Sequence, residues 1–178
     1  MTSRRVIRKS RLAGLRDART LLETLLAAEC LRPSEVLWVV SPWISDIAVF
    51  DNRGGSFRYV FADAGERELR LSEVLLRLAE AGTSVIVAIR DDPHNAPFLA
   101  ALSAGGAPGH EIRVVTSAEL HEKTLAGDDF VLSGSMNFTQ AGLDWNEEQV
   151  TLDTDPETVA AARRDLRSRW GPAQPGAG

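Results

Sequence analysis

Apolar positions along the chain fall into helical stripes that alternate with short unbroken runs. Leu15, Leu22, Leu25 and Leu26 share one helical face and predict a helix over about 14–30, ending before Pro33. Glu35 to Val40 (EVLWVV) and Ser84 to Ile89 (SVIVAI) are apolar, rich in β-branched residues, and read as strands buried on both faces. Between them Asn52-Arg53-Gly54-Gly55 reads as a turn and Phe57–Phe61 as a short strand, and Leu71, Val74, Leu75 and Leu78 mark an amphipathic helix running to Gly82. Asp92-Pro93 opens a helix through Leu102, and the loop Gly105-Gly106-Ala107-Pro108-Gly109 leads to a strand at Ile112–Val115. Two strands flank an Asp-Asp turn near 128, and another spans Glu148–Leu152. A last helix starts behind Asp155-Pro156 and buries Val159, Leu166 and Trp170. Strands alternating with helices predict one α/β domain, a mixed sheet sandwiched by helices.

Length and charge refine this picture. A chain of 178 residues suits a single domain with its own core. The predicted organisation is a basic arm over 1–13, the domain over 14–170 and a disordered tail over 171–178. The single cysteine, Cys30, forms no internal disulfide and belongs to no zinc spacing, which suits a cytoplasmic chain. No run reaches the roughly 18 apolar residues of a membrane span, and the N-terminus lacks signal-peptide character. The net charge of −5 argues against coating nucleic acid with bulk positive charge. The first 19 residues nevertheless hold Arg4, Arg5, Arg8, Lys9, Arg11, Arg16 and Arg19 against one acid, Asp17. That segment reads either as an arm that grips phosphates or an acidic partner, or as a solvated lead-in to the first helix.

Chemistry concentrates in residues 121–148. His121 and Lys123 stand two apart, as do Ser135 and Asn137, so each pair shares one face of its strand. An imidazole, an ammonium, a hydroxyl and an amide then converge, the parts needed to bind and attack a tetrahedral phosphate. If His121 stands opposite Ser135 in a hairpin, Ala126 stands opposite Phe130 and Gly127-Asp128-Asp129 form a three-residue loop. A two-residue loop throws the two pairs onto opposite faces. Arg90 ends the second buried strand, where ligands of open α/β sheets gather, and reads as a substrate contact or a surface charge. Trp43 ends the first and reads as a base-stacking platform or as packing. His94 reads as a helix-start residue or a rim contact, Trp38 and Trp170 as core, and Trp145 as packing beneath the site.

These residues carry a resemblance. His121, Lys123 and Asp128 match the H-x-K-x4-D signature of the phospholipase D superfamily, and Gly134, Ser135 and Asn137 match its G-S-x-N. The interval between the two is five residues where the family has about six. Gly142, Asn146 and Glu148 match the downstream G-x-x-x-N-x-E. The chain resembles the small single-motif nucleases of that superfamily. In Ser41-Pro42-Trp43-Ile44-Ser45 and Leu132 to Phe138 it is similar to the phospholipase D-like component of bacterial systems that restrict DNA lacking a deazaguanine modification.

The resemblance implies a phospholipase D-like fold and a phosphodiesterase needing no metal or other cofactor. It implies attack by His121 to give a phosphohistidine, or its use as the acid. It further implies Lys123 and Asn137 as phosphate clamps, Ser135 as a phosphate ligand, Glu148 as the group that orients His121, and a structural Asp128, with Asp129 as a substitute. The family's chemistry uses two motif histidines. His94 and His110 lack a lysine two residues on, so a homodimer completing a shared site is expected. DNA is the expected substrate and other restriction-system proteins are possible partners. A non-catalytic or conditionally active DNA- or partner-binding subunit and a phospholipid phosphodiesterase stay open as alternatives.

Overall fold

A computed structural model describes residues 4–9, 15–106, 112–144 and 148–172. Its centre is β2 (Val36–Val40), five consecutive buried residues. Leu37 and Val39 enter one apolar layer, while Val36, Trp38 and Val40 enter the other. The same alternation in β5 (Ser84–Ile89) sends Val85, Val87 and Ile89 one way and Ile86 and Ala88 the other. A strand apolar on both faces requires cover on both, and helices supply it.

The sheet has seven strands in the order β1 (Arg4–Lys9), β9 (Glu148–Asp153), β8 (Val131–Gly134), β7 (Thr124–Ala126), β2, β5 and β6 (Ile112–Thr116). β2, β5 and β6 are parallel. β7 runs antiparallel to β2, and β8, β9 and β1 continue antiparallel to the edge. The larger layer packs α1 (Leu15–Leu31), α2 (Leu71–Glu80) and α3 (Ala96–Gly105) on one face. On the other, α5 (Pro156–Trp170) lays Val159, Leu166 and Trp170 on Trp38 and its neighbours. Asp155 caps α5 by accepting from Thr158 N (3.0 Å), with Pro156 preorganised in its first turn.

Four elements differ from the sequence reading. Arg4–Lys9, read as an arm, is edge strand β1, in register from Arg4 opposite Asp153 to Lys9 opposite Glu148. Only Val6 and Ile7 are apolar there, and the partner strand comes from the far end of the chain, so no local pattern marks it. Phe57–Phe61 is a run of turns rather than a strand. Its rings pack on Phe50 at 4.8 and 4.9 Å between centroids, and it connects β3 (Ala48–Asp51) to β4 (Glu68–Arg70), a separate two-stranded sheet. The helix after Asp92 is split into a 3-10 turn, Pro93–Asn95, and α3. Gln140–Asp144 forms an unpredicted short helix, α4. Residues 173–178 of the expected tail, with His110 and Trp145, lie outside the described residues.

Among the described residues no helix is long and apolar enough to cross a membrane. Phe50 is fully buried under the two other phenyl rings, so Phe50→Ala is expected to lower unfolding free energy by about 3–5 kcal/mol, read by urea denaturation. Burial, helped by Glu29, pushes the Cys30 thiol up to about 11. It stays a thiol at pH 8, and iodoacetamide is expected to label it far more slowly in the native protein than in urea.

Candidate active site at the sheet end

The parallel strands β2, β5 and β6 finish at one end of the sheet, and antiparallel pairing brings the start of β7, the end of β8 and the start of β9 to that same end. Crevices at the carboxyl ends of parallel strands are where α/β folds hold ligands. His121, Lys123, Ser135, Asn137, Trp43 and Arg90 all belong to these strand ends.

A buried amide organises this end. Asn95, fully buried, accepts from Ile44 N (2.8 Å) and donates to the carbonyls of Pro42 (3.0 Å) and Arg90 (2.8 Å). It thereby ties the chain leaving β2 to the chain leaving β5. Arg90 then lies over the Trp43 ring, 5.4 Å from its centroid, a cation–π contact. Trp43 Nε1 donates to Asp92 (3.1 Å). Asp92 also accepts from His94 N, and these two bonds hold its carboxyl below the usual carboxylate range. Arg90 Nη2 reaches His121 Nε2 at 2.9 Å.

The remaining candidates attach to the same scaffold. The single hydroxyl proton of buried Ser41 is shared between Trp43 O (2.9 Å) and Asn137 Oδ1 (3.2 Å). Lys123 Nζ donates to the His121 carbonyl (2.7 Å), while Gly134 N donates to Lys123 O (3.2 Å). Ser135 Oγ accepts from Gln149 N (3.0 Å). The motif glycines are explained by close approach. A Cβ on Gly134 stands 2.1 Å from Gln149 O, and one on Gly142 stands 2.3 Å from Asn137 O. Any side chain there drives β9 off β8 or α4 off Asn137. Glu148 opens β9 at this end by its register position, and Asn146 lies outside the described residues. His94 is exposed with Nε2 3.0 Å from Ser45 Oγ, a rim position.

The hairpin register differs from expectation. Thr124 pairs with Ser133, Leu125 with Leu132 and Ala126 with Val131. Gly127 N donates to Phe130 O (3.1 Å), leaving Asp128-Asp129 as a two-residue turn, and none of its residues has positive φ. His121 is thus not set opposite Ser135. The turn is pinned from outside: Asp128 accepts from Glu35 N (2.9 Å) and pairs with Arg163 of α5 (2.6 Å), and Asp129 pairs with Arg32 (2.9 Å). His121–Lys123 precede the first ladder residue of β7, and Ser135–Asn137 follow the last of β8. Pleat parity therefore does not govern them, and they reach one sheet end without facing each other as pairs.

Asp128 consequently stands at the opposite end of the sheet from His121, as part of a structural clasp. Asn95, Ser41 and Asp92 are the contributors that sequence reasoning missed. Asn95 closes the polar run Asp91-Asp92-Pro93-His94-Asn95, so nothing in the local pattern set it apart as buried. Among the described residues no three His, Cys, Asp or Glu side chains gather as a metal-binding group.

The two ends separate experimentally. Asp128→Ala is expected to cost about 1–3 kcal/mol in denaturant unfolding while leaving the His121 ring signals in NMR spectra in place. Asn95→Ala strands three backbone groups, costs about 3 kcal/mol or more, and shifts those signals because Arg90 loses its anchor.

Similar architectures are known. NucT from Helicobacter pylori superposes with a TM-score of 0.61 at 14% identity, covering 93% of each chain. Nuc from Salmonella typhimurium, a phospholipase D family member, gives 0.52 at 17% identity over 94% of this chain and 93% of its own. A polyphosphate kinase from Porphyromonas gingivalis gives 0.63 at 14% identity, covering 97% of this chain and 27% of the kinase. Identities this low establish a shared fold alone. Comparison with curated protein sequences finds no significant match. Residues 70–170, more than half of the chain and spanning all the motif residues, match the family described as cardiolipin synthase, PLD-like domain. The chain belongs to this phospholipase D-like family.

Proposed function

We propose that this protein is a phosphodiesterase that cleaves DNA through a phosphohistidine on His121, working as a homodimer. The observation that carries the reading is the state of the imidazole. A guanidinium only donates, so the 2.9 Å contact from Arg90 falls on a lone pair of His121 Nε2, and the ring proton sits on Nδ1. That is the tautomer a nucleophilic histidine needs, on an exposed residue at the end of the sheet where the parallel strands finish.

In this mechanism Nε2 attacks phosphorus, an N–P bond forms and the P–O ester bond breaks. The leaving oxygen takes a proton from the imidazolium of the second copy's His121. Water then attacks phosphorus, gives its proton to that second imidazole, and the N–P bond breaks to release phosphate monoester. Lys123 and Asn137 clamp the phosphoryl oxygens, Ser135 binds one of them, and Glu148 accepts the Nδ1 proton of His121 as a hydrogen bond. Asp128 serves the clasp rather than the chemistry. Each chain carries one motif, so two copies complete the site.

A nucleic-acid substrate is supported by β1. Its Arg4 and Arg5 are exposed on an edge strand that runs toward the site end, where positions 8 and 9 stand in register with Gln149 and Glu148. A continuous polyanion gains from such a strand, and a single lipid headgroup does not. The reading extends to an effector of a cytoplasmic DNA restriction or defence assembly, on the resemblance read from residues 41–45 and 132–138.

With EDTA present, the purified protein is expected to cleave plasmid DNA and bis(p-nitrophenyl) phosphate, and His121→Ala to slow both at least about 10²-fold. An acid-labile, alkali-stable phosphoryl adduct on His121 is expected after rapid quenching. An active monomer overturns the shared site. Arg4→Glu with Arg5→Glu is expected to lower the salt slope of DNA binding by about 2 while sparing bis(p-nitrophenyl) phosphate hydrolysis. An unchanged slope overturns the role of β1.

A further inference from the structure

The guanidinium of Arg90 is held on two sides and unsatisfied on a third. Nη2 meets His121 Nε2, the Trp43 ring lies beneath it, and Nε is buried without a hydrogen-bond partner. Trp43 is itself fixed by Asp92, and the Arg90 backbone by Asn95 and Pro42. The donor is therefore delivered to the histidine by a built scaffold. Lys123 reaches the His121 carbonyl rather than its ring, and Glu122 is turned to Thr124 and to Arg169 of α5. Among the charged groups of the described residues, Arg90 is the one seated on Nε2.

That seat creates a conflict with attack. The lone pair that must form the N–P bond already accepts a hydrogen bond, so Nε2 is occupied in the resting protein. We infer that Arg90 is a substrate-released cap on His121: an entering phosphodiester draws the guanidinium onto its own oxygens and bares the nucleophile as the reacting phosphorus arrives. The chemistry favours the exchange. A guanidinium–phosphate hydrogen bond is charge-assisted and bidentate, roughly twice as strong as a bond to a neutral acceptor. The unsatisfied Nε–H, beside an Nη–H, is half of the fork that such an oxyanion fits. The Trp43 ring keeps the cation in place during a short swing. With the cap gone, one imidazole of the dimer is free to attack and the other to hold a proton. Arg90 is thus a positioning residue for His121 in the resting protein and a phosphate ligand in the complex. The inference rests on the proposed role of His121 and adds that the substrate's own charge uncovers it.

The test reads the ring rather than turnover. In full-length protein labelled with ¹⁵N-histidine, the His121 signals, assigned with His121→Ala, are expected to show Nε2 as an acceptor and the ring proton on Nδ1. Inorganic phosphate is expected to shift them, and Arg90→Ala to mix the tautomers. Diethylpyrocarbonate is expected to modify His121 slowly in the wild type and about fivefold or more faster with phosphate present, the rate following the uncapped fraction. In Arg90→Ala the basal rate is expected to be already high and unchanged by phosphate. Arg90→Lys, which keeps the charge without the fork, is expected to lose the phosphate acceleration while retaining the wild-type circular dichroism and melting temperature. Phosphate protection of His121 in the wild type, or identical ring signals in wild type and Arg90→Ala, overturns the cap. Loss of hydrolysis in His121→Ala together with either of those results removes the cap and leaves the nucleophile. Phosphate-released reactivity in a protein that never hydrolyses a phosphodiester keeps the cap and removes the proposed function.

Discussion

The sheet end depends on Asn95. Where β2 and β5 stop pairing, the chain must turn away while its backbone groups are still shielded from water, and such groups are costly without partners. One buried amide serves three of them, on Ile44, Pro42 and Arg90. This sets the spacing between the two strand exits, and that spacing puts Arg90 over Trp43 and within reach of His121. Apolar packing alone has no means of holding that distance, because it is non-directional.

The sheet itself changes character at β2. On one side lie parallel partners joined by helices, and on the other an antiparallel run of hairpin and edge strands. The candidate site straddles this change. Arg90 and Trp43 come from the parallel half, while His121, Lys123, Ser135 and Asn137 come from the antiparallel half. Ser41 bonded to Asn137, Ser45 N donating to Phe138 O (2.9 Å) and Arg90 bonded to His121 are stitches between them. Because the halves are joined mainly by strands sharing one core, their relative placement is as rigid as the sheet.

The H-x-K-x4-D motif is divided between two jobs. Its histidine and lysine stand at one end of β7, and its aspartate at the other, where Asp128 joins the hairpin to the α1–β2 loop and to α5. Buried Glu29 sits in the same clasp, accepting from Ser34 N (3.0 Å) and Ser34 Oγ (2.9 Å). Its carboxyl is raised above the usual range by burial. The stability it contributes is complete below its ordinary range and is lost as pH climbs through the raised value. A short β7 of three residues thus transmits the anchoring of one end to the placement of the other.

Periodicity alone carried the helices α1, α2 and α5 and the strands β2, β5, β6 and β9, because each is amphipathic or apolar over enough residues to be recognised without its neighbours. The motif residues were equally legible, since their types and spacing are local. What the tertiary structure decided was relational. β1 is a strand only because β9 offers an edge, and Phe57–Phe61 turns because Phe50 collects its rings. The hairpin register was set by Asp128 reaching Glu35 N and Arg163, partners that no pattern within residues 121–137 contains. Asn95, Ser41 and Asp92 act through contacts between residues far apart in the chain. A sequence records which side chains are present, but a hydrogen bond depends on distances that only the folded sheet supplies.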